Sequence, residues 1–120
     1  MKYLVVLNIN PDVLNALTEA EQQAIFSGHE KFLETVQASG EFHSTVALAE
    51  PAKTSVVKVR DGVPAVTDGP FLEAKEFLAG YYLLDCATRE RVEELAAMIP
   101  DASVEGLGVE IREVIHELGL

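Results

Sequence analysis

Apolar positions along the chain recur first at strand-like and then at helix-like spacing. Tyr3 to Ile9 is almost continuously apolar, which is typical of a strand buried on both faces. From Glu19 to Ser39, apolar residues return at steps of three and four, which predicts one long helix. Thr18 and Glu21 have the spacing of a capping box, and Gly40 supplies a C-terminal stop. The apolar stripe of this helix comprises Ile25, Phe26, Phe32, Leu33 and Val36.

The rest of the chain predicts a hairpin and then a second strand–helix–strand unit. Asp61-Gly62 is a two-residue hairpin signal, because both positions tolerate positive φ. Pro64 lacks an N–H donor, which favours a sheet edge for the returning strand. A helix is predicted from Arg89 to Met98, and the stretch from Asp101 to Gly108 is interpreted as a loop. The predicted strands are Glu41 to Ala49, Thr54 to Arg60, Val63 to Thr67, Leu78 to Cys86 and Val109 to Ile115.

This order predicts a single α+β domain spanning residues 1–120. A β-α-β unit, a β-hairpin and a second β-α-β unit suggest a ferredoxin-like sandwich with a mainly antiparallel sheet and two helices on one face. Strands such as Tyr3 to Ile9 have no polar side, and two helices cover only one face of a sheet. We therefore predict a homodimer in which the second copy packs sheet against sheet.

Composition narrows the function classes. The 120 residues are 48% hydrophobic, with 9 Lys and Arg against 20 Asp and Glu, a net charge of −11. Such an excess of acid disfavours nucleic acid and anionic membrane surfaces, both of which bind cations. Cys86 is the single cysteine, and no stretch approaches the ~20 apolar residues that span a bilayer. These features predict a cytoplasmic protein with neither a nucleic-acid nor a membrane partner.

Several motifs carry a family resemblance over nearly the whole chain. The run Asp68-Gly69-Pro70-Phe71-Leu72-Glu73-Ala74-Lys75-Glu76 and the strand Gly80 to Asp85 resemble the DGPF-domain branch of the YCII-related family, as do Met1 to Leu4 and Ile99-Pro100 with Val109 to Arg112. The resemblance implies a dimeric α+β barrel and acid–base chemistry through a histidine paired with an aspartate. Genes of the DGPF type often lie beside sigma factors of the extracytoplasmic-function class, which implies a regulatory or stress context.

His29 is the leading candidate for chemistry. It lies on the apolar stripe of the long helix, so its side chain is expected to face the space between helix and sheet. Its position also matches that of the family's histidine. A near-neutral pKa is typical of histidine and suits a general acid or base. The alternative is a core histidine that is satisfied by a hydrogen bond.

Residues at the polar turn and on the strand that follows supply the other candidates. Asp68 is the preferred acid partner of His29, although an Asx-turn role is favoured over catalysis. Glu73, Lys75 and Glu76 form either a ligand-binding cluster or a solvated turn with a salt bridge. Tyr82 either orients a ligand in the cleft or packs as an interface aromatic.

No metal site or bound cofactor is predicted. The three histidines stand at positions 29, 43 and 116 without a paired ligand spacing, and neither a GxGxxG loop nor a Walker lysine is present. Two functions remain open. The first is a small-molecule enzyme or binding protein that uses acid–base chemistry in a helix–sheet cleft. The second is a non-catalytic regulatory or interaction module whose acidic surface binds a basic partner.

Overall fold

Six strands and three helices are found in the part of the chain that the structure describes. A computed structural model describes residues 1–69 and 76–119. The strands are β1 (Lys2–Ile9), β2 (Phe42–Ala47), β3 (Ser55–Arg60), β4 (Val63–Asp68), β5 (Phe77–Asp85) and β6 (Gly108–Glu113). The helices are α1 (Pro11–Ala16), α2 (Glu19–Ser39) and α3 (Arg89–Ala96), with one-turn 3₁₀ helices at Pro51–Lys53 and Pro100–Ser103.

The main sheet has four strands in the order β2-β5-β1-β6, and every neighbouring pair is antiparallel. Helix α2 connects β1 to β2, and α3 connects β5 to β6, so each helix crosses over a strand that lies between its two neighbours. Val5 of β1 lies opposite Tyr82 of β5 and Ile111 of β6. This is the ferredoxin-like α+β arrangement, and the predicted fold class is confirmed.

The core lies between one face of this sheet and two helices. Tyr3 and Val5 are two residues apart on β1, and Tyr82 and Leu84 are two residues apart on β5. All four side chains therefore point to the same face of the sheet. Helices α2 and α3 cover that face, which confirms that they lie on one side of the sheet. The helix residues buried in the core are Phe32, Val36, Val92, Leu95 and Ala96.

A short helix was missed at the end of β1. Pro11 follows β1 directly and occupies the first turn of α1. The side chain of Asn10 caps this helix by accepting a hydrogen bond from the backbone N–H of Asp12. Proline suits this position because its missing N–H has no partner within a helix. The described residues therefore contain three helices, whereas the sequence predicted two.

A β-bulge changes the faces of β2. Strict alternation along a strand would place Phe42, Ser44 and Val46 on one face, but the register with β5 shifts between Phe42 and Ser44. Beyond the bulge, Thr45 lies opposite Tyr82 and therefore shares its face. The bulge thus places a threonine hydroxyl, rather than the valine, on the helix side of the sheet. The strand also ends at Ala47 instead of Ala49.

Strands β3 and β4 form a separate two-stranded sheet, here called the arm (Ser55–Asp68). Asp61 and Gly62 form its turn with φ values of 51° and 75°, as the sequence predicted. On β4, Pro64 lies opposite Val59 of β3, and within the described ranges β4 pairs with β3 alone. Every residue of β4 is exposed, so the hairpin projects from the main sheet.

Candidate functional site

A chain of three polar side chains joins α2, β5 and the 3₁₀ helix at Pro100–Ser103. The Nε2 atom of His29 lies 2.6 Å from Oδ1 of Asp101, and its Nδ1 atom lies 2.8 Å from the hydroxyl of Tyr82. Both ring nitrogens therefore have partners. Asp101 is only 5% exposed, and within the described residues it is the one acid that is buried.

Two close contacts fix this geometry. Gly28, next to His29, faces the ring of Pro100, and a Cβ atom at Gly28 would approach Pro100 Cγ closer than 3.0 Å. The absent side chain thus lets the 3₁₀ helix approach α2, which brings Asp101 to the imidazole. On the other side, Tyr82 stacks on His29 and meets Phe32 edge-on with ring centroids 4.8 Å apart. Packed aromatic rings hold the phenol in place.

The chain of polar groups borders a cavity of about 440 Å³ between α1, α2 and the β2–β5 end of the sheet. Its polar lining within the described residues comes from Gln22, Thr45 and the three site residues. Phe26, which is 62% exposed, lines the same cavity. The remaining lining residues include Leu7, Ile9, Leu14, Ile25 and Val46.

The protonation of Tyr82 sets the direction of the hydrogen bonds. Burial, with the charge of Asp101 as a second cause, raises the pKa of Tyr82 to about 12, so its hydroxyl keeps its proton at neutral pH. The Nδ1 atom of a neutral imidazole accepts a hydrogen bond from the Tyr82 hydroxyl. Its Nε2 atom then donates a hydrogen bond to Asp101, because a carboxylate can only accept. Tyr82 and His29 both line the cavity, so this hydrogen-bonded pair borders it directly.

The raised pKa of Tyr82 has a measurable effect at high pH. We expect the free energy of unfolding to fall as the pH rises from about 10, the ordinary tyrosine value, through about 12. The sign follows because the folded state resists ionisation of this phenol more than the unfolded state does. Alkaline denaturation of Tyr82→Phe should lack this loss, whereas Tyr81→Phe should retain it. Parallel alkaline limbs for the native protein and Tyr82→Phe would contradict the assignment.

Comparison with known proteins identifies the family of this chain. The family model described as the YCII-related domain matches residues 1–117. The chain belongs to the YCII-related family. It is also 25% identical over 112 residues to "Uncharacterized protein R00369" of Rhizobium meliloti (strain 1021), a match that covers 93% of this chain and 90% of that protein. In this YCII-related chain, the DGPF-branch motif at 68–76 falls largely on residues 70–75, outside the described residues, and its assignment stays a prediction.

Within this YCII-related domain, two of the predicted site residues come together and one lies elsewhere. His29 and Tyr82 are in direct contact. Asp68 lies on the exposed strand β4 of the arm, opposite Ser55, and the acid that contacts His29 is Asp101. Among the described residues, the acid paired with His29 is therefore Asp101 rather than Asp68, and a site role for Asp68 stays a prediction.

The predicted ligand-binding cluster cannot be placed as a unit. Glu73 and Lys75 lie outside the described residues, and Glu76 is exposed just before β5. Asp101 was missed because its segment reads as a loop with no periodic pattern. The available signal in the sequence was that Asp101 directly follows Ile99-Pro100. In the structure, it lies in the first turn of the 3₁₀ helix that Pro100 begins.

No helix among residues 1–69 and 76–119 is long and apolar enough to cross a membrane. Across the same ranges, no group of three or more His, Cys, Asp or Glu side chains is arranged to hold a metal ion.

Proposed function

We propose that this YCII-related protein binds a small uncharged molecule in the cavity beside α2 and moves a proton to and from it. His29 is the base. Asp101 holds the imidazole ring and balances its positive charge, and Tyr82 passes the proton between the cavity and the imidazole. The observation that carries the proposal is the contact of His29 with a buried carboxylate on one side and a cavity-lining phenol on the other. Perturbed titratable groups in a cleft are typical of functional sites.

The proton path follows from the two hydrogen bonds. A bound molecule with a weakly acidic O–H, or a C–H beside a carbonyl, gives its proton to the Tyr82 oxygen as the phenol proton moves to Nδ1 of His29. The imidazolium that forms is stabilised by Asp101 at Nε2. The ligand anion then accepts a hydrogen bond from the Tyr82 hydroxyl. The reverse sequence returns the proton, so the residues end as they began.

The cavity lining favours an uncharged ligand. No lysine or arginine lines it within the described part of the chain. Its neutral donors are already engaged, because Gln22 Nε2 donates to the carbonyl oxygens of Leu14 and Leu17 and the Thr45 hydroxyl donates to the carbonyl of Tyr81. A carboxylate or phosphate would lose its water there without a cation in return. A mostly apolar molecule with one ketone or hydroxyl group fits better.

The experiment measures proton exchange. A panel of neutral cyclic ketones is screened by thermal shift, since a ligand of the folded state raises the melting temperature. NMR in D₂O then follows exchange of the α-protons of each ketone that binds. We expect the native protein to accelerate exchange and His29→Gln and Tyr82→Phe to lose about 10²-fold of the rate. His43→Gln, an exposed histidine of β2, is the matched control and should keep the native rate.

Two outcomes would overturn this function. One is exchange that continues unchanged in His29→Gln. The other is a panel that gives neither binding nor exchange, a result that favours the non-catalytic interaction module. Binding without exchange contradicts the acid–base step alone.

We further propose that the working unit is a homodimer, packed sheet against sheet. The face of the main sheet opposite the helices carries Leu4 and Val6 on β1 and Tyr81 on β5, which remain partly exposed in the single chain. Two copies carry 2 × −11 = −22 charges, so an apolar contact has to offset their repulsion. A sedimentation mass of one chain at micromolar concentration would contradict the dimer.

A further inference from the structure

The two faces of the arm differ in character. Cross-strand pairing places Val57 opposite Val66 and Val59 opposite Pro64, and successive residues alternate between faces. These four residues form the arm apolar face. Its three valines are 63% to 64% exposed. The reverse face carries both cations of the arm, Lys58 and Arg60, together with Val56, Val63, Ala65 and Thr67.

An arm of this kind is unstable unless something packs on it. An isolated two-stranded hairpin is at best marginally stable in water, and the arm pairs with no third strand from residues 1–69 and 76–119. The radius of gyration of the chain is 16.4 Å, against about 14 Å expected for a compact domain of this length. The arm therefore extends away from the body with its apolar face in solvent. Contiguous exposed apolar residues on a soluble protein mark an interaction surface.

We propose that the arm apolar face packs against a second copy of this chain. Charge favours that occupant. Lys58 and Arg60 balance Asp61 and Asp68, so the arm carries +2 − 2 = 0, and the rest of the chain carries the whole −11. Copies of this protein repel one another except where a neutral or cationic segment makes the contact. The arm combines that neutrality with the exposed valines.

The arm is also long enough to reach a partner. Six-residue strands extend about 20 Å, whereas packed sheets lie about 10 Å apart. The arm leaves the main sheet after β2 and returns at β5, which is the sheet end that lines the cavity through Ala47 and Gly80. In a sheet-to-sheet dimer, an arm that starts at this end can cross the interface and cover the partner. The inference rests on the proposed homodimer and not on the acid–base activity.

The test compares matched valines on the two faces of the arm. Val57→Thr with Val66→Thr replaces methyl groups on the arm apolar face by hydroxyl groups and preserves β-propensity. Val63→Thr makes the same change on the reverse face at a residue of equal exposure, 65%. Sedimentation equilibrium of the full chain gives the dimer dissociation constant of each. We expect at least a tenfold increase for the double variant, because each substitution occurs twice in a symmetric dimer, and no change for Val63→Thr.

Three results would overturn the role of the arm. They are a dissociation constant that the double variant leaves unchanged, equal weakening by Val63→Thr, and a native protein that stays monomeric. The last result also removes the homodimer, whereas the first leaves a dimer that assembles through the sheet alone. Proton exchange by the native protein is measured separately, so loss of the arm contact and loss of the acid–base function are distinguishable.

Discussion

Gly80→Ala is expected to lower the melting temperature by about 5–15 °C, which corresponds to the ~1–3 kcal/mol cost of overpacking. A Cβ atom at Gly80 would approach the carbonyl oxygen of Val46 closer than 3.0 Å and would also crowd the Cα of Ala47. Both are backbone atoms of β2, so no side-chain rotation relieves the contact. The strand has to move away from β5, and the cavity wall moves with it.

Gly108→Ala is the matched control for this change. Gly108 also lies on a strand of the main sheet, has no atom within 4 Å of an added Cβ, and has no positive φ. Alanine there should leave the melting temperature the same or slightly higher, since glycine in a strand loses more backbone entropy on folding. Thermal unfolding followed by circular dichroism compares the two variants. Equal melting temperatures would show that β2 does not approach β5 at Gly80 as described.

Asp101→Ala is expected to destabilise the protein by about 2 kcal/mol, whereas Asp101→Asn should cost much less. Alanine leaves Nε2 of His29 without its acceptor in a site where the carboxylate was 5% exposed. Asparagine can still accept from Nε2 through its amide oxygen, so only the charge is lost. Denaturant titration of both variants measures the difference.

The same pair of variants separates stability from chemistry. Without the negative charge, Asp101→Asn should lower the pKa of Tyr82 toward its ordinary value, although burial still holds it above 10. It should also slow proton exchange about 10²-fold, because the imidazolium loses its counter-charge. Ultraviolet titration of the phenol and the exchange assay give the two readouts. An Asp101→Asn protein with native exchange and a native Tyr82 titration would show that the carboxylate only fills space.

The sequence predicted the elements whose signals are local. Helix α2 has the predicted bounds, because the Thr18 capping box and Gly40 act within a few residues of its ends. The turn at Asp61-Gly62 is likewise dictated by the positive φ that these residues tolerate. Local patterns do not reveal the bulge in β2, since the extra residue is defined only by its partner strand.

Only part of the candidate site was predicted, because local patterns do not reveal contacts between residues that are distant in the sequence. His29 stood out because it interrupts an apolar stripe, and Tyr82 because it lies on an apolar strand. Asp101 lies 72 positions from His29, and their contact depends on the fit of Pro100 against Gly28. Asp68 drew attention through its motif, but sequence motif alone does not say which acid reaches the imidazole.

The Pro100–Gly28 contact also sets the order in which the protein can gain and lose its site. Helix α2 can form from local interactions, yet His29 lacks its carboxylate partner Asp101 until the segment after α3 has docked, at the entropic cost of closing a long loop. Fraying of the single turn Pro100–Ser103 removes Asp101 while the four-stranded sheet stays paired. On mild heating, proton exchange at the site should therefore cease before the sheet melts, so that activity reports the docking of one short turn.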